Sequence, residues 1–205
     1  MKRQLKNQPK NNAIDLIVIG LGNPGRRYEK TRHNAGFLAV DILAERLSVS
    51  LKKRPFRPVE TAEGGYNGKS IVLVKPLTFM NRSGDIIPWT FKRYLPDREK
   101  IIVIADHLDI PCGTLRLKRS GSSGGQKGLQ SIINALGHSD FSRMYIGVGR
   151  PTDGVSVVDH VLGIPENGEN DMFLDAIGKA ADGILRLLEE PIEKVMNDVN
   201  RRTNS

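Results

Sequence analysis

The stretch Leu16-Ile17-Val18-Ile19-Gly20-Leu21-Gly22-Asn23-Pro24-Gly25 decides the fold class. Its first four residues form a continuous apolar run, the pattern of a strand buried inside an α/β sheet. Asn-Pro-Gly then turns the chain sharply. Tyr28 and the segment Thr31-Arg32-His33-Asn34-Ala35-Gly36-Phe37 follow, so a histidine and two asparagines stand close to a buried strand's end. A hydrolytic site is easily built there, because histidine is the side chain best suited to general-base work near neutral pH.

Gly20 to Gly25 also fits G-x-G-x-x-G, which invites a dinucleotide-binding reading. That motif needs glycines opening straight into a helix and an acidic residue roughly 20 positions on, closing the second strand. Here Pro24 and the polar run Arg26-Arg27-Tyr28-Glu29-Lys30 delay the helix until about Asn34, an expected N-cap. The acidic candidates Asp41 and Glu45 fall inside the pattern Phe37, Leu38, Val40, Ile42, Leu43, Leu47, which reads as helix. The nucleotide-cofactor reading therefore fails on context, and no cofactor is expected.

Outward from this stretch, strands alternate with helices. Strands are expected near 14–19, 70–75, 100–105, 114–118 and 143–148, with a further extended stretch near 155–162. Helices are expected near 35–48, 82–95, 126–137 and 171–189, and a terminal one after Pro191. The order implies an α/β protein with a mixed, mostly parallel sheet covered on both faces. Residues 13–205 read as one domain behind a basic, flexible tail of residues 1–12 carrying Lys2, Arg3, Lys6 and Lys10.

With 205 residues the chain can bury a core without disulfides, and its one cysteine, Cys112, fits a reducing compartment. No apolar run approaches the 18 or so residues of a membrane span. A cytoplasmic protein without membrane association is expected. The net charge of +8 is uneven: residues 151–205 hold 5 Lys/Arg against 11 Asp/Glu, leaving 26 against 12, a balance of +14, in residues 1–150. That excess suits a polyanionic partner. In Thr114-Leu115-Arg116-Leu117-Lys118 alternation sends Arg116 and Lys118 to one strand face and both leucines to the other. His107, His138 and His160 lack the spacing of metal ligands, and no metal is expected; surface exposure is the default for His160. Cys112 has no base near it in sequence and reads as an inert turn residue.

Open α/β sheets place their sites at the C-terminal ends of strands. The first such end offers Asn23 and His33. The strand ending Val74-Lys75-Pro76 leads through Leu77-Thr78-Phe79-Met80 to Asn81, either a helix cap or a site residue, and Met80 reads as core. The strand Ile101-Ile102-Val103-Ile104 leads to Asp106, while Asp109 before Ile110-Pro111 reads as a turn stabiliser. A histidine and an aspartate from neighbouring strand ends make the base-and-orienter pair that activates water.

Four separated blocks, Gly20–Phe37, Pro76–Gly84, Asp106–Gly113 and the glycine-rich Gly121–Leu129, with Val158–Gly163 as a weaker fifth, resemble the bacterial-type peptidyl-tRNA hydrolases. The resemblance runs from Ile14 to about Asn200. It implies a single-domain α/β/α sandwich, monomeric and metal-free, that hydrolyses the ester joining a peptide to the 3′-terminal ribose of tRNA and so recycles prematurely released peptidyl-tRNA. Residue by residue, it implies His33 as the catalytic base, Asp106 as its carboxylate partner, and Asn23 and Asn81 as substrate-positioning amides. Tyr28, Phe79 and Lys127 join the substrate side, and Lys118 is implied as a tRNA phosphate contact. Two places depart from the family pattern: Gln126-Lys127 stands where His-Asn is common, and Tyr145 where an arginine completes the phosphate clamp, a role that Arg143 on the same strand face is expected to cover. Relatives of this family also serve as RNA-splicing cofactors, so a catalytically silent RNA-binding protein is the alternative.

Overall fold

The computed structural model describes residues 14–201, and the expected tail over residues 1–12 lies outside them. The chain begins with β1 (Leu16–Gly20), passes through a 3-10 turn at Arg32–Asn34, and enters α1 (Ala35–Arg46). β2 (Lys52–Lys53), β3 (Val59–Tyr66) and β4 (Lys69–Pro76) follow. A 3-10 segment at Met80–Ile86 leads into α2 (Ile87–Tyr94), then β5 (Ile101–His107), β6 (Leu115–Lys118), α3 (Lys127–Leu136) and β7 (Ser142–Gly147). The acidic C-terminal third is helical: α4 (Val157–Leu162), α5 (Asn167–Arg186) and α6 (Ile192–Val199).

The seven strands form one sheet in the order β2-β3-β4-β1-β5-β7-β6. β1 is central because every residue in it is buried and apolar or glycine. It pairs in parallel with β4 and β5, and β5 pairs in parallel with β7, so the expected parallel character holds for the four-strand centre. The three outer pairings are antiparallel, which makes the sheet half parallel by pairs. β3 runs antiparallel to β4 because the two are joined by the two-residue turn Asn67-Gly68, both at positive φ, a geometry favoured in tight hairpins. β2 and β3 go beyond the strands expected from hydropathy; β3, Val-Glu-Thr-Ala-Glu-Gly-Gly-Tyr, interrupts its apolar residues with Glu60, Thr61 and Glu63 and lies toward the edge. The outermost strand β2 is two exposed lysines, a composition that discourages pairing with another chain.

Alternate residues of the strands feed two cores. Leu16 and Val18 face one layer with α1, α5 and α6, where Phe173, Ile177, Ala180 and Ile184 pack. Ile17 and Ile19 face the other, with α2, α3 and the 3-10 segment, where Met80, Leu129 and Ile132 pack. This is the expected α/β/α sandwich. The stretch near 155–162 is corrected: it is helix α4, capped by Ser156, whose side chain accepts from Asp159 N–H, rather than an extended segment. Its run Val155 to Val161 mimics a strand in composition, but the Ser-x-x-Asp of Ser156 to Asp159 within it is a capping pattern that decides for helix.

Candidate active site

The two glycines Gly20 and Gly36 set the site's geometry. A Cβ on Gly20 would lie 2.2 Å from the Gly36 carbonyl oxygen, and one on Gly36 would lie 2.3 Å from the Ile104 carbonyl oxygen. Their missing side chains let the start of α1 rest directly on β1 and β5. Because Gly20 pairs with Ile104 in the sheet, the turn preceding α1 is held beside the end of β5. His33 in that turn and Asp106 at that end therefore meet, with His33 Nδ1 2.8 Å from Asp106 Oδ2. A carboxylate can only accept, so the ring proton of neutral His33 sits on Nδ1 and the Nε2 lone pair is available as a base.

A short polar chain fixes the neighbours. Asn34 was expected to cap α1, but its side chain makes no cap bond. It instead accepts from Asn23 N–H at 2.8 Å and donates to Asn23 carbonyl oxygen at 3.0 Å, clamping the Asn-Pro-Gly turn. Asn23 Oδ1 accepts from Met80 N–H at 2.8 Å, joining the β1 end to the β4 end. That leaves the Asn23 amide N–H groups as donors for a ligand. The second oxygen of Asp106 accepts from Gln126 Nε2 at 2.9 Å.

Around the pair lies a cleft of ≈ 430 Å³, lined among others by Asn23, His33, Phe79, Met80, Asn81, Asp106, Gly125, Gln126 and Lys127. Val157, Val158, Val161 and Leu162 of α4 form its far wall. Phe79, 53% exposed, and Val158, 57% exposed, give it apolar lips. Gly124 and Gly125, at φ +58° and +83°, turn the chain from β6 into α3 and put backbone rather than side chain on the cleft wall.

Two opposed effects act on His33. Burial pushes its pKa down; the charge of Asp106 and its hydrogen bond push it up and prevail; Lys127 opposes them weakly, so the net direction is above the ordinary histidine value. His107, whose ring stands edge-on to Tyr145 at 4.8 Å, goes the other way, lowered first by burial.

The catalytic candidates of the sequence converge: Asn23, His33, Phe79, Asn81, Asp106 and Lys127 share the cleft. Met80 is both core and cleft floor, 4% exposed. Tyr28 reaches the cleft only through Phe79, against which its ring stands edge-on at 6.5 Å. Lys118 is exposed on β6, on the same strand face as Arg116, as alternation requires. Arg143 is corrected. It is fully buried, and its guanidinium donates to the carbonyls of Phe141, Gly121 and Ser139 at 2.6, 2.5 and 3.0 Å while stacking on the Phe141 ring. Such a group ties a loop to the core and has no free face for a phosphate. His160 is corrected too: it is half-buried, its Nε2 lying 3.0 and 3.1 Å from the carbonyl oxygens of Val148 and Gly149. Asp109 is ion-paired with Arg150 at 2.6 Å beside the expected turn. Gln126 as a partner of Asp106 and Asn34 as the clamp on Asn23 are not legible in the sequence. Both could be placed near caps, but which backbone a cap residue serves depends on tertiary contacts. Among the described residues no cluster of ligating side chains could hold a metal, and no helix is long and apolar enough to cross a membrane.

Comparison with known proteins gives concordant matches. A family model described as peptidyl-tRNA hydrolase matches residues 17–205. The peptidyl-tRNA hydrolase of Bacillus cereus (strain Q1) is 45% identical over 184 residues, covering 90% of this chain and 98% of its own. That of Bacillus subtilis (strain 168) is 42% identical over 187 residues, covering 91% and 99%. The crystal structure of peptidyl-tRNA hydrolase from Acinetobacter baumannii superposes with a TM-score of 0.85 at 34% identity, covering 94% of this chain and 97% of that one.

Proposed function

This chain belongs to the peptidyl-tRNA hydrolase family, and we propose that it hydrolyses peptidyl-tRNA with a water molecule activated by His33. The observation that carries the mechanism is the 2.8 Å contact between His33 Nδ1 and Asp106 inside a cleft. The bond cut is the ester between the peptide's terminal carbonyl and the 3′-terminal ribose oxygen of tRNA. His33 Nε2 takes a proton from water as the water oxygen attacks the carbonyl, and Asp106 stabilises the imidazolium as it forms. The tetrahedral intermediate carries an oxyanion that the amide donors of Asn23 or Asn81 stabilise. Collapse expels the ribose oxygen, which takes its proton from the imidazolium, leaving a free peptide acid and a reusable tRNA. Phe79 and Lys127 flank the bound substrate, with Tyr28 backing Phe79, and Lys118 meets a tRNA phosphate. The protein works in the cytoplasm as a monomer and needs no metal. The assembled base pair favours hydrolysis over the splicing-cofactor alternative, which has no use for it.

The test is release of tRNA from N-acetylaminoacyl-tRNA and from unblocked aminoacyl-tRNA, by the parent protein and by His33→Ala. Cleavage of the blocked substrate by the parent, abolished in the variant, is expected. Equal rates in parent and variant would remove His33 as the base.

A further inference from the structure

We infer that Gln126 is a positioning residue for this reaction: its side-chain amide holds the carboxylate of Asp106 against His33 while its side-chain oxygen anchors the glycine-rich loop to α3. The inference rests on the His33–Asp106 pair being the catalytic base and its orienter.

Three facts converge on Gln126. Asp106 is 3% exposed and has two oxygens to satisfy, and a buried carboxylate oxygen without a donor is costly. His33 serves Oδ2, and Gln126 Nε2, at 2.9 Å, serves Oδ1. The orientation of the Gln126 amide is fixed by its other end. Leu129 N–H, an obligatory donor, points at 2.8 Å to the end of the amide that faces it, so that end is the oxygen and the NH2 faces Asp106. Finally, the pocket is shaped for this side chain. A Cβ on Gly128 would stand 3.0 Å from Gln126 Oε1 and 2.5 Å from Met80 Sδ, so glycine at 128 leaves room for the amide. Gln126 Nε2 also touches Met80 Sδ at 3.3 Å, and Met80 N–H is held by Asn23, so one chain of contacts runs from Asn23 through Met80 and Gln126 to Asp106 and His33.

The amide does two things for the chemistry. It fixes the carboxylate, and it takes up part of the charge that otherwise draws a proton to His33. Glutamine does not titrate, so the amide keeps its own charge state while His33 changes protonation. The other charged and titratable groups around the pair are Lys127 at the start of α3, His107 at the end of β5, and the Asp109–Arg150 ion pair on the cleft wall. On the α4 side stand His160, engaged by two carbonyls, and the Arg32–Glu169 ion pair at 2.6 Å.

The experiment compares the parent with Gln126→Glu and Gln126→Met, reading the His33 titration midpoint by NMR and kcat and KM against pH on N-acetylaminoacyl-tRNA. Glu keeps an oxygen for Leu129 N–H, so the cap survives; Met fills the volume but makes neither bond. Both variants should raise the His33 midpoint, by roughly one pH unit, because Asp106 Oδ1 loses the neutral amide donor that shares its charge. kcat should fall about tenfold at pH 7, where more of the base is protonated, with KM little changed. An unmoved midpoint in both variants, or a loss of kcat by the same factor at every pH, overturns the proposal in favour of a purely structural glutamine. His33→Ala is assayed alongside: if it remains active the base reading fails, whereas an inactive His33→Ala with unmoved midpoints in the glutamine variants overturns only the role of Gln126.

Discussion

At His33 burial and the Asp106 carboxylate pull in opposite directions, and the carboxylate prevails. In the proposed mechanism neutral imidazole is the base, so kcat/KM should fall as pH drops through a value above 6.5, and Lys127→Ala, which removes the opposing cation, should move that acid limb further up. An acid limb below 6.5 in the parent would contradict this balance. Protonated His33 also favours the fold: that contribution is present below the ordinary histidine value and is lost as pH rises through the raised one. His33→Ala should lower kcat by about 10²–10⁴ while leaving circular dichroism unchanged. Arg143→Met makes the opposite pattern. It strands three carbonyls and should cost about 2–4 kcal/mol in urea unfolding, with little change in tRNA affinity of the folded fraction. A large loss of affinity without loss of stability would restore Arg143 as a phosphate contact. Cys112, its thiol pushed up to about 11 by burial and the nearby Glu169, should resist alkylation at pH 8 in the native state and react once unfolded.

Elements place those residues, and their contacts are less forgiving than their boundaries. α1 leans on β1 and β5 without intervening side chains, so Gly36→Ala forces a methyl into the Ile104 carbonyl. It should lower stability by about 1–3 kcal/mol and shift His33 away from Asp106. Thermal unfolding and kcat on N-acetylaminoacyl-tRNA should fall together; a variant as stable and active as the parent would show that α1 can move back at no cost. The helices over 35–48, 126–137 and 171–189 were legible because their apolar residues recur at helical spacing over more than two turns. α4 was not, because six residues rich in valine carry too short a pattern to separate helix from strand. β3 was hidden for the converse reason: its glutamates and paired glycines dilute the apolar alternation, and the Asn67-Gly68 turn behind it was the clearer mark.

Across the whole molecule the charge is divided, with +14 in residues 1–150 and the acidic excess in the helical remainder. tRNA affinity should therefore weaken at least about tenfold between roughly 50 and 200 mM salt, and a salt-independent Kd would argue against a phosphate-binding face. Short-range chemistry is legible in the chain before it folds. The buried run Leu16 to Ile19, the alternation of strand and helix, and the residue types at three strand ends sufficed for an α/β sandwich whose strand ends carry His33, Asp106, Asn23 and Asn81 to one cleft. The tertiary structure alone decided which polar atoms meet. Arg143 and Lys118 stand opposite each other in register, yet one is fully buried against carbonyls and the other is exposed. Asn34 and Gln126 both precede helices, yet one clamps a distant turn while the other caps its helix and reaches Asp106. A side chain's chemistry is local, but its burial and partners depend on distant segments, 73 residues away for His33 and Asp106 and 137 for Arg32 and Glu169, and those separations close only when the chain folds.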